Sequence, residues 1–88
     1  IQKENKELVY AETKNGNLQE AEKICRKVFK ECKDKTYNSE NAYNVLQAYY
    51  LKKEIKNFNN WFQEVESYLM NDQRFKPLVE KMKKELGQ

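Results

Sequence analysis

An apolar stripe at helical spacing occurs twice in this chain, 37 residues apart. Leu18, Ala21, Ile24, Cys25, Val28, Phe29 and Cys32 follow steps of three and four, the signature of a helix with one buried face. Shifted by 37, Leu18 falls on Ile55, Ala21 on Phe58, Ile24 on Trp61, Cys25 on Phe62 and Val28 on Val65. The preceding stripe matches as well: Leu8 falls on Val45, Val9 on Leu46 and Ala11 on Ala48, and the break at Gly16 falls on Lys53. A second shift sets Val45 on Met82 but Ala48 on Glu85. A period in the thirties built of two helices predicts units that cannot bury their faces alone and stack to share one core.

The expected elements are five helices in one domain spanning residues 1–88. One proline and two glycines are too few for the many tight turns of an all-β chain. The first helix is expected at about Lys3 to Asn15, with Gly16 in the left-handed conformation that ends a helix. Asn17 is then the expected cap of the second helix, with Glu20 completing a capping box. The polar run "KDKTYNS" breaks the pattern, and Asn38 or Ser39 is the expected cap of a third helix, about Glu40 to Lys53. A fourth starts near Ile55 and stops at "MNDQ"; a fifth covers about Arg74 to Leu86. The fold class that follows is all-α: antiparallel helical hairpins stacked as a short right-handed α-solenoid. Repeat 1 takes about 3–37, repeat 2 about 40–73, and an extra helix about 74–87. With fewer than three full repeats and Ile1 in place of an initiator Met, the chain is expected to be a piece of a longer array, or else to form a homodimer.

Composition narrows the function. Apolar residues make up 39% and charged residues 35%, so most helices can bury one face only. Net charge is +3, but basic and acidic residues alternate, which fits solvated helix faces better than a nucleic-acid surface. No run approaches the roughly 20 apolar residues of a membrane span, and no signal peptide is visible. Cys25 and Cys32 lie two helical turns apart, too far for a disulfide within the helix. With no histidine and no CxxC there are almost no ligands for zinc, so both read as core thiols of a reducing intracellular compartment, cytoplasm or nucleus. No nucleophile elbow, P-loop or glycine-rich phosphate cradle is present, and Glu64 and Glu66 point to different faces of their helix. The expectation is a protein that is not an enzyme and takes no cofactor and no metal.

Three family resemblances bear on what the chain binds. "LVYAETKNGNLQEAEKICRKVF" resembles a tetratricopeptide repeat through Leu8, the Gly16-Asn17 turn, Leu18, Ala21 and Val28. Val9 and Glu12 stand where that family has its signature glycine and tyrosine, and the small Ala21 becomes Phe58 in the second copy, a swap expected to push two helices apart locally. "AYNVLQAYY" is similar to the start of a pentatricopeptide repeat, which reads RNA, although Val45 sits where a polar base-contacting residue is required. Trp61 with Asp72, Arg74 and Phe75 resembles an FF domain, a module for phosphorylated or acidic protein tails.

The tetratricopeptide resemblance implies that the first helix of each repeat lines a groove for a peptide or helix of a partner protein. The groove residues it implies are Lys3, Lys6, Tyr10 and Lys14 from one copy, and Tyr43, Asn44, Gln47 and Tyr50 from the other. Asn44 takes the place where peptide-binding members hold peptide backbone or a terminal carboxylate, and Lys3 and Lys6 add positive charge for an acidic ligand. Tyr49 is expected in the core, Tyr43 and Tyr50 at an interface, and the adjacent Trp61 and Phe62 in the core. A protein scaffold or adaptor is the function implied; an RNA-binding helical repeat or an FF-type module is the alternative.

Overall fold

The computed structural model describes Val9 and residues 12–87. Among these residues the chain is all-helical. Helical residues at Val9 and 12–14 (α1) are followed by Leu18–Glu31 (α2), Lys35–Leu51 (α3), Ile55–Met70 (α4) and Lys76–Glu85 (α5). No helix among the described residues is long and apolar enough to cross a membrane.

The turns between helices are set by backbone chemistry. At the end of α1, the Gly16 N–H donates to the Thr13 carbonyl (3.2 Å) and the Asn17 N–H to the Glu12 carbonyl (2.8 Å). These two bonds, with Gly16 at φ 83°, make a Schellman stop that satisfies orphan carbonyls of the last turn. The same pair recurs 37 residues later: Lys53 N–H to Tyr50 O and Glu54 N–H to Tyr49 O, both 3.0 Å, with Lys53 at φ 58°. The recurrence read from apolar spacing thus has a counterpart in the main chain.

Two expected caps are corrected. Asn17 makes no side-chain cap bond; its Nδ2 donates instead to Glu12 Oε2 at 2.9 Å, so the capping box with Glu20 does not form. The third helix begins five residues earlier than expected, at Lys35, because the Asp34 carboxylate accepts from the N–H groups of Thr36 (3.0 Å) and Tyr37 (3.2 Å). Asn38 and Ser39 are buried inside that helix, not caps. Asn38 Nδ2 donates to the Cys32 carbonyl (3.0 Å), and the Ser39 hydroxyl shares its donor between the carbonyls of Lys35 (2.8 Å) and Tyr68 (2.9 Å). The expected boundary of repeat 1 at residue 37 therefore falls inside α3. The fifth helix starts two residues later than expected, at Lys76, after an Asx turn in which the Arg74 N–H donates to Asp72 Oδ1, and Pro77 sits in its first turn.

One contiguous core runs from Val9 to Met82. The stripe of α2 buries Leu18, Ala21, Cys25 and Val28; that of α4 buries Phe58, Trp61, Phe62, Val65 and Leu69. Ala21 and Phe58, equivalent under the 37-residue shift, are both fully buried. Ile55 breaks the equivalence: it is 41% exposed where Leu18 is 4%. α3 packs on both α2 and α4, and α5 packs on α4. Packed on both neighbours, α3 buries one broad face, from Asn38, Ser39, Asn41 and Ala42 to Val45, Leu46 and Tyr49, and leaves Gln47 and Leu51 exposed. Trp61 of α4 is central. Its Nε1–H donates to the Ala42 carbonyl of α3 (3.0 Å), and its ring lies near Phe29 of α2 (6.4 Å) and under the Arg26 guanidinium (5.6 Å). Arg26 also grips Glu64 through Nε (2.6 Å) and Nη2 (2.9 Å), tying α2 to α4.

Candidate interaction face on α3

Lys14 at the end of α1 and Asn44 and Gln47 of α3 line one cavity of about 320 Å³. They are three of the eight expected groove residues, Lys14 from the first copy and the others from the second. Ala48, Leu51 and Lys52 complete the wall on the α3 side. The Schellman stop at Gly16 ends α1 and so places Lys14 and Thr13 opposite the last turns of α3. Lys3, Lys6 and Tyr10 lie outside the described residues.

Leu51 is the residue the sequence did not single out. It is 69% exposed, the most exposed large apolar side chain described, and it also lines a second, smaller cavity with Tyr50, Lys53, Glu85 and Leu86. The signal was present in the sequence: a leucine followed by Lys52 and Lys53, at the end of a helix whose apolar residues already had neighbours to bury them. The face as a whole offers two side-chain amides, an exposed leucine and the lysines 14, 52 and 53. It can donate and accept hydrogen bonds to main chain, cover an apolar side chain and attract negative charge.

Tyr43 and Tyr50 are placed differently from the expectation that set them at an interface. Tyr43 stacks on Phe75, ring centroids 4.5 Å apart, and the Tyr50 hydroxyl donates to Glu85 Oε2. Both are half-buried, Tyr43 under Phe75 at the start of α5 and Tyr50 tied to Glu85 at its end. Tyr49 is buried as expected, its hydroxyl donating to Glu22 Oε2; burial and then that carboxylate hold its pKa well above the usual phenol range. Trp61 and Phe62 are core residues, and Lys83 lies over the Phe62 ring at 4.4 Å.

Two further cavities have several of their polar groups engaged within the fold. One of about 610 Å³ opens between the two Schellman turns, where Asn17 bonds Glu12 and Asn57 bonds Glu54. Another of about 540 Å³ lies at the start of α3 and the α4–α5 turn. There Arg74 is spent on Asp72, Glu40 and the Thr36 carbonyl, so the Asp-x-Arg-aromatic signature of the FF resemblance closes on the chain's own residues. Cys25 is fully buried with its Sγ 3.6 Å from the Asn41 carbonyl; burial, with Glu22 second, pushes its thiol up to about 12. Such a thiol is a poor nucleophile. No group of three or more His, Cys, Asp or Glu able to hold a metal occurs among the described residues.

Comparisons of the chain with family models, curated proteins and solved structures return no match.

Proposed function

We propose that the chain is a protein-interaction module, a scaffold or adaptor whose helix pairs stack as a short right-handed solenoid of tetratricopeptide type. In this reading α3 presents the binding face, and the ligand is a peptide or helix of a partner protein lying between the end of α1 and the end of α5. The observation that carries it is the convergence of Lys14, Asn44 and Gln47, drawn from both copies of the recurrence, on one cavity beside the exposed Leu51. The paired Schellman turns 37 residues apart support the repeat, as do ties between alternate helices: Arg26 of α2 to Glu64 of α4, and Tyr50 of α3 to Glu85 of α5. Exposed apolar side chains ringed by polar groups are how a protein surface offers a hot spot to a partner.

The test is selection of peptides from a displayed random library on the immobilised chain. Selected peptides are expected to lose at least about tenfold in affinity with Asn44→Ala or Leu51→Ala, the range of an interface anchor. Lys27→Ala, on the outward face of α2, is expected to leave them unchanged. Selection of no peptide, or of peptides indifferent to Asn44 and Leu51, overturns the reading. Binding of homopolymeric RNA that weakens steeply with salt would put the RNA-binding alternative in its place.

A further inference from the structure

Tyr43 and Tyr50 are two helical turns apart on α3, next to the cavity residues Asn44 and Gln47, and both are engaged at the two ends of α5: Phe75, at its N-cap, stacks on the Tyr43 ring, and Glu85 accepts from the Tyr50 hydroxyl. α5 is held lightly for a helix in that position. It contributes two residues to the core, Val79 and Met82, where α4 contributes five. Its remaining ties sit at its two ends. Around its start, Phe75 lies on Tyr43 and Arg74 on Glu40 (2.9 Å); at its end, Glu85 accepts from Tyr50. The two polar ties are solvent-exposed, and exposed pairs hold weakly in water. Leu78 is 43% exposed and is not part of the core cluster. The turn at residues 71–75 separates α5 from α4, and the Arg74–Asp72 pair lies wholly inside that turn.

We propose that α5 is a displaceable strap: it opens as a unit while α2, α3 and α4 remain folded, and in doing so uncovers Tyr43, Tyr50 and the face of Phe62 beneath Lys83. The closed strap engages Tyr43 and the Tyr50 hydroxyl; the open one adds both tyrosines in full to the face that carries the Lys14–Asn44–Gln47 cavity. What the enlarged face is for rests on the protein-interaction reading. The opening itself does not.

Hydrogen–deuterium exchange of the whole 88-residue chain, followed by mass spectrometry without any ligand, tests the opening. Amides of α5 are expected to exchange together, at least about tenfold faster than the slowest amides of α2 to α4, as a unit of lower local stability. Tyr50→Phe removes the hydroxyl tie without altering the ring. It is expected to speed α5 exchange about fivefold, the loss of one net hydrogen bond, and to leave α2 unchanged. Exchange of α5 at the rate of α2 to α4 overturns the proposal, because α5 then opens only with the whole domain. So does a Tyr50→Phe effect spread equally over all helices. A fast α5 in a chain that selects no peptide would sink the interaction reading and leave the strap standing.

Discussion

Lys53 holds φ at 58°, where its Cβ crowds the following carbonyl, and it does so to make the same helix stop that Gly16 makes at 83°. Lys53→Gly is therefore expected to raise stability by about 1 kcal/mol, seen as a higher urea midpoint with an unchanged slope. Gly16→Ala is expected to lower it by a similar amount, about 1 kcal/mol. The added methyl there meets only the mobile Lys52 Nζ at 3.2 Å, so conformation and not collision sets the cost. Midpoints that move in the same direction would mean that the two turns are not equivalent. Asn41 presents a different residue-scale cost. It is fully buried and both ends of its amide lack a partner among the described residues. An unpaired buried amide costs about 1–3 kcal/mol, and an apolar side chain of similar shape escapes it. Asn41→Leu is expected to stabilise the fold by about 1 kcal/mol. A destabilised variant would show that the amide is bonded in solution.

At the scale of the element, α3 shows why parts of this fold were legible and others were not. α2 and α4 are covered on one side, so their buried residues fall on steps of three and four and their starts at Leu18 and Ile55 could be read directly. α3 packs on both α2 and α4, so its buried face is wider and takes in Asn38, Ser39 and Asn41, polar residues that no apolar pattern reveals. Ser39 and Asn38 look like cap residues because they bond main chain, and they do, but inside the core rather than at a helix start. The same blindness hid the placement of Tyr43 and Tyr50: a sequence shows that a helix has surplus aromatic surface, not which neighbour takes it. The grouping of Lys14 with Asn44 and Gln47 comes only from the tetratricopeptide resemblance; the 37-residue shift itself sets Lys14 on Leu51 and Asn44 on Glu7. Leu51 is the counterpart of Lys14 under that shift, and its signal is a leucine followed by two lysines rather than an apolar period. The cap assignment is open to experiment. Asp34→Ala is expected to cost about 1 kcal/mol and to free the amides of Thr36 and Tyr37 to faster exchange. Ser39→Ala is expected to leave those amides protected while lowering stability, because it removes the tie from α3 to the Tyr68 carbonyl of α4. Equal loosening of the first turn in both variants would restore Ser39 as the cap.

At the scale of the whole molecule, two buried titratable groups on different helices, Cys25 of α2 and Tyr49 of α3, shift the same way. Cys25 and Tyr49 both border Glu22, and both have their pKa raised, first by burial. In the unfolded chain a thiol loses its proton near pH 8.5 and a phenol near pH 10. A raised folded pKa means that the native state keeps the proton longer, so the stability these groups lend is fully present below those values. It is then lost as pH rises toward the folded ones, for Cys25 between about 8.5 and 12. Each group that titrates only on unfolding contributes a slope of at most about 1.4 kcal/mol per pH unit. Lysines also discharge near pH 10.4, which lowers stability wherever they pair with carboxylates, so the wild-type curve alone does not isolate the core. Variants do. Cys25→Ala removes a titrating group, at the expense of a small cavity, and is expected to melt lower than wild type at pH 7 but to lose less between pH 9 and pH 11. Tyr49→Phe is expected to flatten the curve further at the alkaline end, where the phenolate would stand against Glu22. The measurement is thermal melting by circular dichroism from pH 7 to pH 11 for the three chains. Parallel curves would mean that neither group ionises on unfolding. The hydroxyl of Tyr49 would then be in water, and the contact joining α2 to α3 through Glu22 would not exist in solution.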